Sequence, residues 1–253
     1  GDTWPIFALA TVGFLVMSIV LTTLHVQAPP TAHESPLEQL KEGFRFIFTT
    51  DLFRWLLGLT FVGMFFSQSY VQIMPVFTNL LGTDETGYGY LLSAGGLGSV
   101  MGTLLIGMVQ ESRRLGWIML GGAAGSVLFL VAFAASTALQ SLPLALLLAF
   151  LIAASASAFM IISMTVLQLE VPDALRGRVM GIHTIGYSLA PLGGLFLGGL
   201  ADSLGASWAV ITGSAIYLIA IAATTLMKAD IRNLDGRSLQ SSAPVENQPV
   251  AAR

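Results

Sequence analysis

Seven long apolar stretches, separated by short polar connections, dominate the sequence. A helix that crosses a membrane needs about 20 predominantly apolar residues, and each stretch reaches that length. The predicted spans are Trp4–Val26, Leu52–Leu80, Tyr88–Val109, Leu115–Ala135, Leu142–Leu169, Val179–Leu200 and Trp208–Met227. Only 10% of the 253 residues are charged and 55% are hydrophobic, a balance that cannot cover the surface of a soluble domain. The sequence therefore predicts an all-α membrane protein with about seven transmembrane helices.

The basic residues predict how these helices are oriented. All eleven lie in or beside alternate connections: Lys41, Arg45, Arg54, Arg113, Arg114, Arg176, Arg178, Lys228, Arg232, Arg237 and Arg253. The intervening connections, at residues 82–87, 136–141 and 201–207, contain no Lys or Arg. Basic loops are retained in the cytoplasm. We therefore predict a multi-pass protein of the plasma (inner) membrane, with its N-terminus outside and its C-terminus in the cytoplasm.

The longest connection, residues 28–50, contains a predicted surface helix. Ser35, Pro36 and Glu38 form a capping box with proline at the first helical position. Apolar residues then recur at helical spacing as far as Ile47, with charged residues between them. This pattern predicts an amphipathic helix that lies on the inner membrane surface. A solvated linker helix fits the same pattern equally well.

Three segments near the predicted cytoplasmic side resemble a known transporter family. They are EGFRF at 42–46, DLFR at 51–54 and PDALRGRVMG at 172–181. The first two resemble the entry to the seventh helix, and the third resembles the connection between helices ten and eleven, in the major facilitator superfamily. The similarity is to its drug- and siderophore-exporter branch, the enterobactin-exporter-like and macrolide-efflux-like proteins.

This resemblance covers nearly the whole chain and implies helices six to twelve of a twelve-helix transporter. The implied domains are helix six at 1–27, a cytoplasmic inter-half loop at 28–51, the C-terminal six-helix half at 52–228 and a disordered cytoplasmic tail at 229–253. Because the first residue is Gly1, we expect the sequence to begin partway through a longer protein. The implied partners are the lipid bilayer, a small-molecule substrate and the missing N-terminal transporter half.

The function that the resemblance implies is secondary active transport, namely proton-coupled export of small amphiphilic molecules such as drugs or siderophores. The six helices of the half should form two three-helix repeats. No Gly-x-x-x-x-Gly-Lys-Ser/Thr motif is present, so ATP is not the direct energy source. We expect no enzymatic activity, no cofactor, no metal and no nucleic-acid partner. Two alternatives stay open: a seven-helix receptor-like membrane protein, or an inactive truncated transporter half.

Two further groups of residues resemble functional motifs of this superfamily. One segment resembles a degenerate copy of the superfamily's cytoplasmic loop motif, with Glu in place of the usual Asp. Together with the basic connection after helix ten, it supplies candidates for a cytoplasmic gate. The gate and loop candidates are Gly107, Glu111, Arg113, Arg114, Asp173, Arg176 and Arg178. A segment of the eleventh helix resembles the antiporter motif and is expected to pack helices together. Its residues are Gly186, Pro191, Gly193 and Gly194.

The most polar span, Leu52–Leu80, is predicted to line a substrate cavity. Gln68, Gln72, Pro75 and Asn79 recur at i, i+4, i+7 and i+11, which places them on one face of a regular α-helix. Because an unpaired amide is costly to bury in lipid, this face should point to a cavity or to another helix. The alternative is interhelical hydrogen bonding that only packs the bundle.

Helices eight and eleven carry further candidates. His183 and Tyr187 are four residues apart on the eleventh helix, and an ionisable group inside a membrane is a candidate for a transport role. The alternative is that His183, one turn from the basic connection, sits at the membrane interface. On helix eight, Gly95, Gly98 and Gly102 predict a close helix contact.

Overall fold

The computed structural model describes residues 4–23 and 35–241, and the chain divides into two compact units, Gly1–Pro36 and Leu37–Arg253. The first unit contains α1 (Trp4–Thr23). Thr11 and Ser18 donate their hydroxyl hydrogens to the carbonyls of Phe7 and Phe14, both at 2.8 Å. Bonding to the preceding turn hides these hydroxyls and makes α1 compatible with an apolar surrounding.

The other described elements are helices, with no strand among the described residues. They are α2 (Pro36–Thr49), α3 (Asp51–Phe66), a 3-10 segment (Gln68–Ile73), α4 (Met74–Leu80), α5 (Glu85–Val109), α6 (Leu115–Ser136), a 3-10 turn (Thr137–Leu139), α7 (Leu142–Glu170), α8 (Asp173–Ile185), a 3-10 turn (Gly186–Ser188), α9 (Leu189–Leu204), α10 (Ala206–Met227), α11 (Ala229–Arg232) and α12 (Gly236–Ser241).

The predicted all-α membrane architecture is confirmed. Six helical segments are long and apolar enough to cross a membrane, and Phe7–Thr23 is a shorter apolar helix. The six are Asp51–Leu80, Glu85–Val109, Leu115–Leu139, Leu142–Glu170, Asp173–Leu204 and Ala206–Met227. Two of them are built from two α-helices each, since α3 continues into α4 and α8 into α9 across short 3-10 segments.

The helix pairings fit two three-helix repeats. In this arrangement α3, α5 and α6 correspond to α7, α8–α9 and α10. The α3–α9 pair of one repeat arrangement then matches the α5–α7 pair, and the α6–α7 pair matches the α3–α10 pair. The α6–α10 pair is matched by itself, because exchanging the repeats exchanges these two helices. All five pairs are in contact. The contact between α9 and α10 has no equally extensive counterpart between α5 and α6. The pairings are therefore compatible with the predicted repeats, although corresponding pairs differ in how extensively they are in contact.

Glycines bring α5 against α7. A Cβ atom at Gly98 would lie 2.9 Å from the carbonyl carbon of Phe150, and one at Gly102 would lie 2.9 Å from the Cα of Ala154. Gly95 has open space where its side chain would be. The close contact predicted from the glycine series thus holds at Gly98 and Gly102, and Gly95 faces a groove described below.

The N-terminus of α5 is capped by Asp84. Its carboxylate accepts hydrogen bonds from the backbone N–H groups of Thr86 (3.0 Å) and Gly87 (3.2 Å). The hydrogen bond from Gly87 contributes most, and together these bonds hold the pKa of Asp84 below its usual value. The cap lies in one of the connections without basic residues, and it satisfies donors that a helix end leaves unpaired.

The predicted surface helix forms as α2 and packs against α8. Gly43 and Ile47 are buried, and the position where Gly43 lacks a side chain is filled by Ile182. Glu42 forms an ion pair with Arg178. The opposite face exposes apolar side chains, with Phe48 60% exposed. One side of α2 therefore docks on the bundle, while the other presents the apolar surface expected of a helix in the membrane interface.

The tail differs from the prediction of disorder from residue 229 onwards. Residues 229–241 contain α11 and α12, whereas residues 242–253 lie outside the described residues. Ile231 and Leu239 are buried, at 1% and 4% exposure. The polar composition predicted disorder because it does not reveal the ion pair, the backbone hydrogen bonds and the two buried apolar side chains that dock this segment.

Four of the contacts that hold this C-terminal segment, residues 228–241, lie on the cytoplasmic side of the predicted topology. Lys228 Nζ is 2.7 Å from the carboxylate of Asp51, at the start of α3. The Arg232 guanidinium lies 5.8 Å from the centre of the Trp117 ring. The remaining two contacts are backbone hydrogen bonds: the N–H of Gly116 to the carbonyl of Leu234 (3.2 Å), and the N–H of Gly236 to the carbonyl of Ser112 (3.0 Å). The segment thus joins the ends of α3, α6 and α10 to the α5–α6 loop.

Gly236→Val is expected to undock this segment, because a Cβ at that position would overlap the carbonyl of Gln110. The chain has no cysteine, so Leu239→Cys supplies a single reporter thiol at a buried position. Maleimide should label that thiol on the order of tenfold faster once local opening is favoured. Gly107→Val is the matched control, since a Cβ at Gly107 would meet no neighbouring atom within 4 Å. Equal labelling rates in the two variants would contradict the docking.

Candidate functional site

The seventh helix of the predicted topology breaks in its middle. After α3 ends at Phe66, the chain follows a 3-10 path from Gln68 to Ile73, and α4 then starts with Pro75 in its first turn. The hydroxyl of Ser69 lies within hydrogen-bonding distance of the carbonyls of Phe65 (2.5 Å) and Ala190 (2.9 Å). This side chain ties the break to α9, and the break decides where the polar side chains of this span point.

The predicted single polar face of this span is wrong. A 3-10 helix turns 120° per residue, so four residues carry Gln72 well away from Gln68. Gln68 is half-buried, whereas Gln72, Pro75 and Asn79 are exposed. The prediction depends on regular α-helical spacing, and the 3-10 segment removes that regularity.

Gln68 lines a groove between the broken helix, α5 and α7. The groove has a volume of about 340 Å³. Its polar lining includes Gln68, Ser99, Thr103 and Ser157, and its apolar lining includes Met74. Thr103 donates to the carbonyl of Ser99 (2.8 Å) and Ser157 donates to that of Ala153 (2.9 Å). The hydroxyl donors of Thr103 and Ser157 are therefore occupied, while their oxygen lone pairs can accept hydrogen bonds.

The groove has no charged lining. Among its described lining residues there is no Asp, Glu, Lys, Arg or His, and its one titratable side chain is Tyr70. An unpaired charge buried within a membrane is costly, and this wall supplies no opposite charge to compensate one. The groove is thus suited to neutral, amphiphilic surfaces that carry hydrogen-bonding groups.

The other polar candidates of this span lie elsewhere. The Cβ and Cγ atoms of Gln72 occupy the space that a side chain at Gly194 would fill, at 2.6 and 2.7 Å. Asn79 and Pro75 line a separate depression with Asp84 at the end of α4. Of the predicted polar face, the structure brings only Gln68 to the groove.

His183 and Tyr187 lie next to one another on the α8–α9 segment. Their ring centres are 6.0 Å apart with an interplanar angle of 78°. His183 is 2% exposed, and its Nε2 has no hydrogen-bond partner among the described residues, whereas Tyr187 is 54% exposed. Neither side chain lines the groove. His183 is therefore a buried group on α8.

The predicted packing motif lies against α3 and the 3-10 segment. A side chain at Gly193 would overlap the backbone carbonyl of Phe65, and one at Gly186 would lie 2.8 Å from the ring of Phe61. Pro191 is exposed. Three glycines of the motif, with Gly194 beside Gln72, therefore permit α8–α9 to approach the broken helix closely.

The first group of gate candidates lies at the α5–α6 loop. Glu111, Arg113 and Arg114 are exposed, and so is Gly107 at the end of α5. The backbone carbonyl of Glu111 accepts a hydrogen bond from Nε of Arg237 at 3.3 Å. The loop is thereby joined to the C-terminal segment, a contact that the sequence did not predict.

The second group of gate candidates lies in the first turns of α8. Arg176 pairs with Asp173 at 2.5 Å within the same helix. Arg178 pairs with Glu42 on α2. The structure therefore gives this group partners on α8 and α2, and the α2 partner was not predicted.

Several polar residues near the groove were missed. Thr60, Ser67 and Ser126 are buried among helices, as is Tyr217 on α10. Thr60 on α3 and Ser67, which follows the end of α3, are seven residues apart, which is a helical repeat that sequence reading could have detected. Tyr217 gave no such signal, since a single tyrosine in an apolar helix is most simply read as packing.

Six membrane-spanning helices in this arrangement define a multi-pass integral membrane protein. Residues 2–253 match the transmembrane secretion effector family, and the chain belongs to that family. It is 28% identical over 203 residues to the enterobactin exporter EntS of Shigella flexneri, a match that covers 79% of this chain and 47% of the relative. The same exporter from Escherichia coli O139:H28 is 28% identical over 204 residues, with the same coverage.

The chain spans about half the length of these curated relatives, which are larger proteins. No solved structure matches the chain significantly. The relatives are named as exporters of one small molecule, enterobactin.

Proposed function

We propose that the chain forms one half of a secondary exporter and that its groove is one wall of the transport cavity. The observation that carries this proposal is the uncharged groove around Gln68, bounded by the counterparts of helices seven, eight and ten. Transporters of this architecture bind substrate near the bilayer midplane, between two halves that rock about the site. Membership of a secretion effector family supports transport out of the cell.

The proposed substrate is a small, neutral, amphiphilic molecule of the drug or siderophore class. The amide of Gln68 can donate and accept hydrogen bonds, and Ser99, Thr103 and Ser157 offer acceptor oxygens. Apolar side chains between them suit aromatic or aliphatic surfaces. The relatives named for enterobactin export make a siderophore the first compound to test.

The proposed energy source is the proton gradient across the plasma membrane. We infer an outside N-terminus and a cytoplasmic C-terminus, because the basic residues lie on alternate connections. The apolar middle of the six spans carries no Asp or Glu, so the proton-binding carboxylate is assigned to the other half. On this orientation the α5–α6 loop and the start of α8, which carry the gate candidates, both face the cytoplasm.

Transport by inside-out membrane vesicles tests this function. Vesicles that contain the chain together with a six-helix N-terminal half should accumulate enterobactin when the lumen is made acidic, and a protonophore should abolish accumulation. Vesicles with the chain alone should accumulate none, because one half presents one wall of the site. Accumulation that survives the protonophore would refute proton coupling. Accumulation by the chain alone would refute the two-half requirement, and none in either preparation would refute the exporter.

A further inference from the structure

A second cavity lies behind Gln68, inside the bundle. It is bordered by α3, α6, α7 and α10, and the space that a water-sized sphere can occupy in it is about 20 Å³. We call it the inner cavity and define it by four hydroxyl residues that line it, Thr60, Ser67, Ser126 and Tyr217. It shares part of its lining with the groove, since Gln68, Ala156 and Met160 belong to both. These three residues therefore separate the two spaces.

Two of the hydroxyls in the inner cavity are unpaired. Ser67 and Tyr217 are 4% and 3% exposed. Neither hydroxyl makes a hydrogen bond to another described residue, although both side chains line the cavity. Gly63 has no side chain where the Tyr217 hydroxyl lies, since a Cβ there would be 2.7 Å from that oxygen. Both side chains are buried and both border the open space of the cavity, so an occupant of that space can supply the hydrogen-bond partner that buried hydroxyls normally have.

The other two hydroxyls restrict what the occupant can be. Thr60 donates to the carbonyl of Leu56 and Ser126 donates to that of Ala123, both at 2.8 Å. Each of these oxygens keeps lone pairs that can accept hydrogen bonds. The cavity therefore offers free donors and free acceptors side by side. A purely apolar occupant would satisfy neither, and a cation would find no carboxylate among the described lining residues.

We propose that the inner cavity is a binding site for an O–H group, which bridges Ser67 and Tyr217. The occupant is either a water molecule or the hydroxyl end of a transported molecule that reaches past Gln68 and Met160. A water molecule needs about 10–15 Å³ of such space and two to four polar partners, and the cavity meets both requirements. The site follows from the unpaired hydroxyls alone. Only its use by a transported molecule rests on the proposed function.

The direction of a stability change tests whether the cavity is occupied. If an O–H group bridges the two side chains, Tyr217→Phe removes a hydrogen bond and should lower the melting temperature by about 2–4 °C. If the cavity is empty, the same change removes an unsatisfied buried hydroxyl and should raise the melting temperature instead. Tyr90→Phe, at an exposed position, is the control and should change it by less than about 2 °C. If Tyr217→Phe fails to fold, the direction of the change in melting temperature is measured with Ser67→Ala instead.

A double-mutant cycle identifies the occupant. Once either partner is removed the bridge is lost, so Ser67→Ala with Tyr217→Phe should lower the melting temperature no further than the larger single change. This non-additivity in buffer alone supports water. Anisole, the methyl ether of phenol, has no O–H group and serves as the control. If the effects become non-additive only when phenol is added, and not when anisole is added, the occupant is the hydroxyl of an organic ligand. Additive effects under all three conditions, or a raised melting temperature in Tyr217→Phe, would overturn the proposal. Because the readout is unfolding, it is independent of whether the chain exports anything.

Discussion

Gly98→Val is expected to lower the free energy of unfolding by about 3 kcal/mol or more. The reason is that the space beside Gly98 is filled by backbone: a Cβ there would lie 2.9 Å from the carbonyl carbon of Phe150 and closer still to its oxygen. A flexible side chain could rotate away, but a helix backbone cannot. The added atoms must therefore separate α5 from α7, the two helices that form the sides of the groove.

The measurement is thermal unfolding in detergent, followed by circular dichroism. For a chain of this length the expected change is a fall in melting temperature of roughly 6–12 °C. Gly96→Val is the matched control, since it lies on the same helix and a Cβ there would meet no neighbouring atom within 4 Å. Gly96→Val should leave the melting temperature unchanged or slightly raised, because valine favours the helix more than glycine does. Similar losses in both variants would show that helix propensity, and not the α5–α7 contact, controls the result.

The spans could be predicted from the sequence because their signal is local. Apolar stretches of about 20 residues allow one backbone solution in lipid, the helix. The predicted Leu115–Ala135 and Leu142–Leu169, for example, correspond to α6 (Leu115–Ser136) and α7 (Leu142–Glu170). The glycine contact was predictable for a similar reason, since Gly98 and Gly102 are one turn apart and leave a small-residue strip on α5.

The site was less predictable because its geometry depends on contacts between distant residues. The 3-10 segment that separates Gln68 from Gln72 is held by Ser69, whose hydroxyl reaches Ala190 on another helix. Nothing in the spacing of the glutamines reveals that contact. Docking of the C-terminal segment depends likewise on the hydrogen bond from the N–H of Gly236 to the carbonyl of Ser112 in the α5–α6 loop. In both places a tertiary contact overrides what local spacing and composition predict.

The sequence placed Gln68 and Gln72 on one polar face, whereas the geometry of the groove singles out Gln68 as the glutamine that should matter for transport. If the chain is half of an exporter, as proposed, Gln68→Leu in the two-half protein is expected to reduce export about tenfold, the effect of losing one hydrogen bond of about 1.4 kcal/mol to the substrate. Gln68 lines the groove and the inner cavity, so its amide lies where a neutral substrate would need a hydrogen-bond partner. Leucine keeps most of the side-chain volume and removes only the amide.

Gln72→Leu is the matched control, because it makes the same chemical change four residues along the same segment. Its aliphatic stem packs against Gly194, and its exposed side chain does not line the groove. Enterobactin secretion by cells that lack their own exporter should therefore change less than about twofold, at equal abundance of the two variants in the membrane. If Gln72→Leu proves the more damaging change, the substrate lies against α9 and not between α5 and α7. If both variants export normally, the two amides serve only to pack helices.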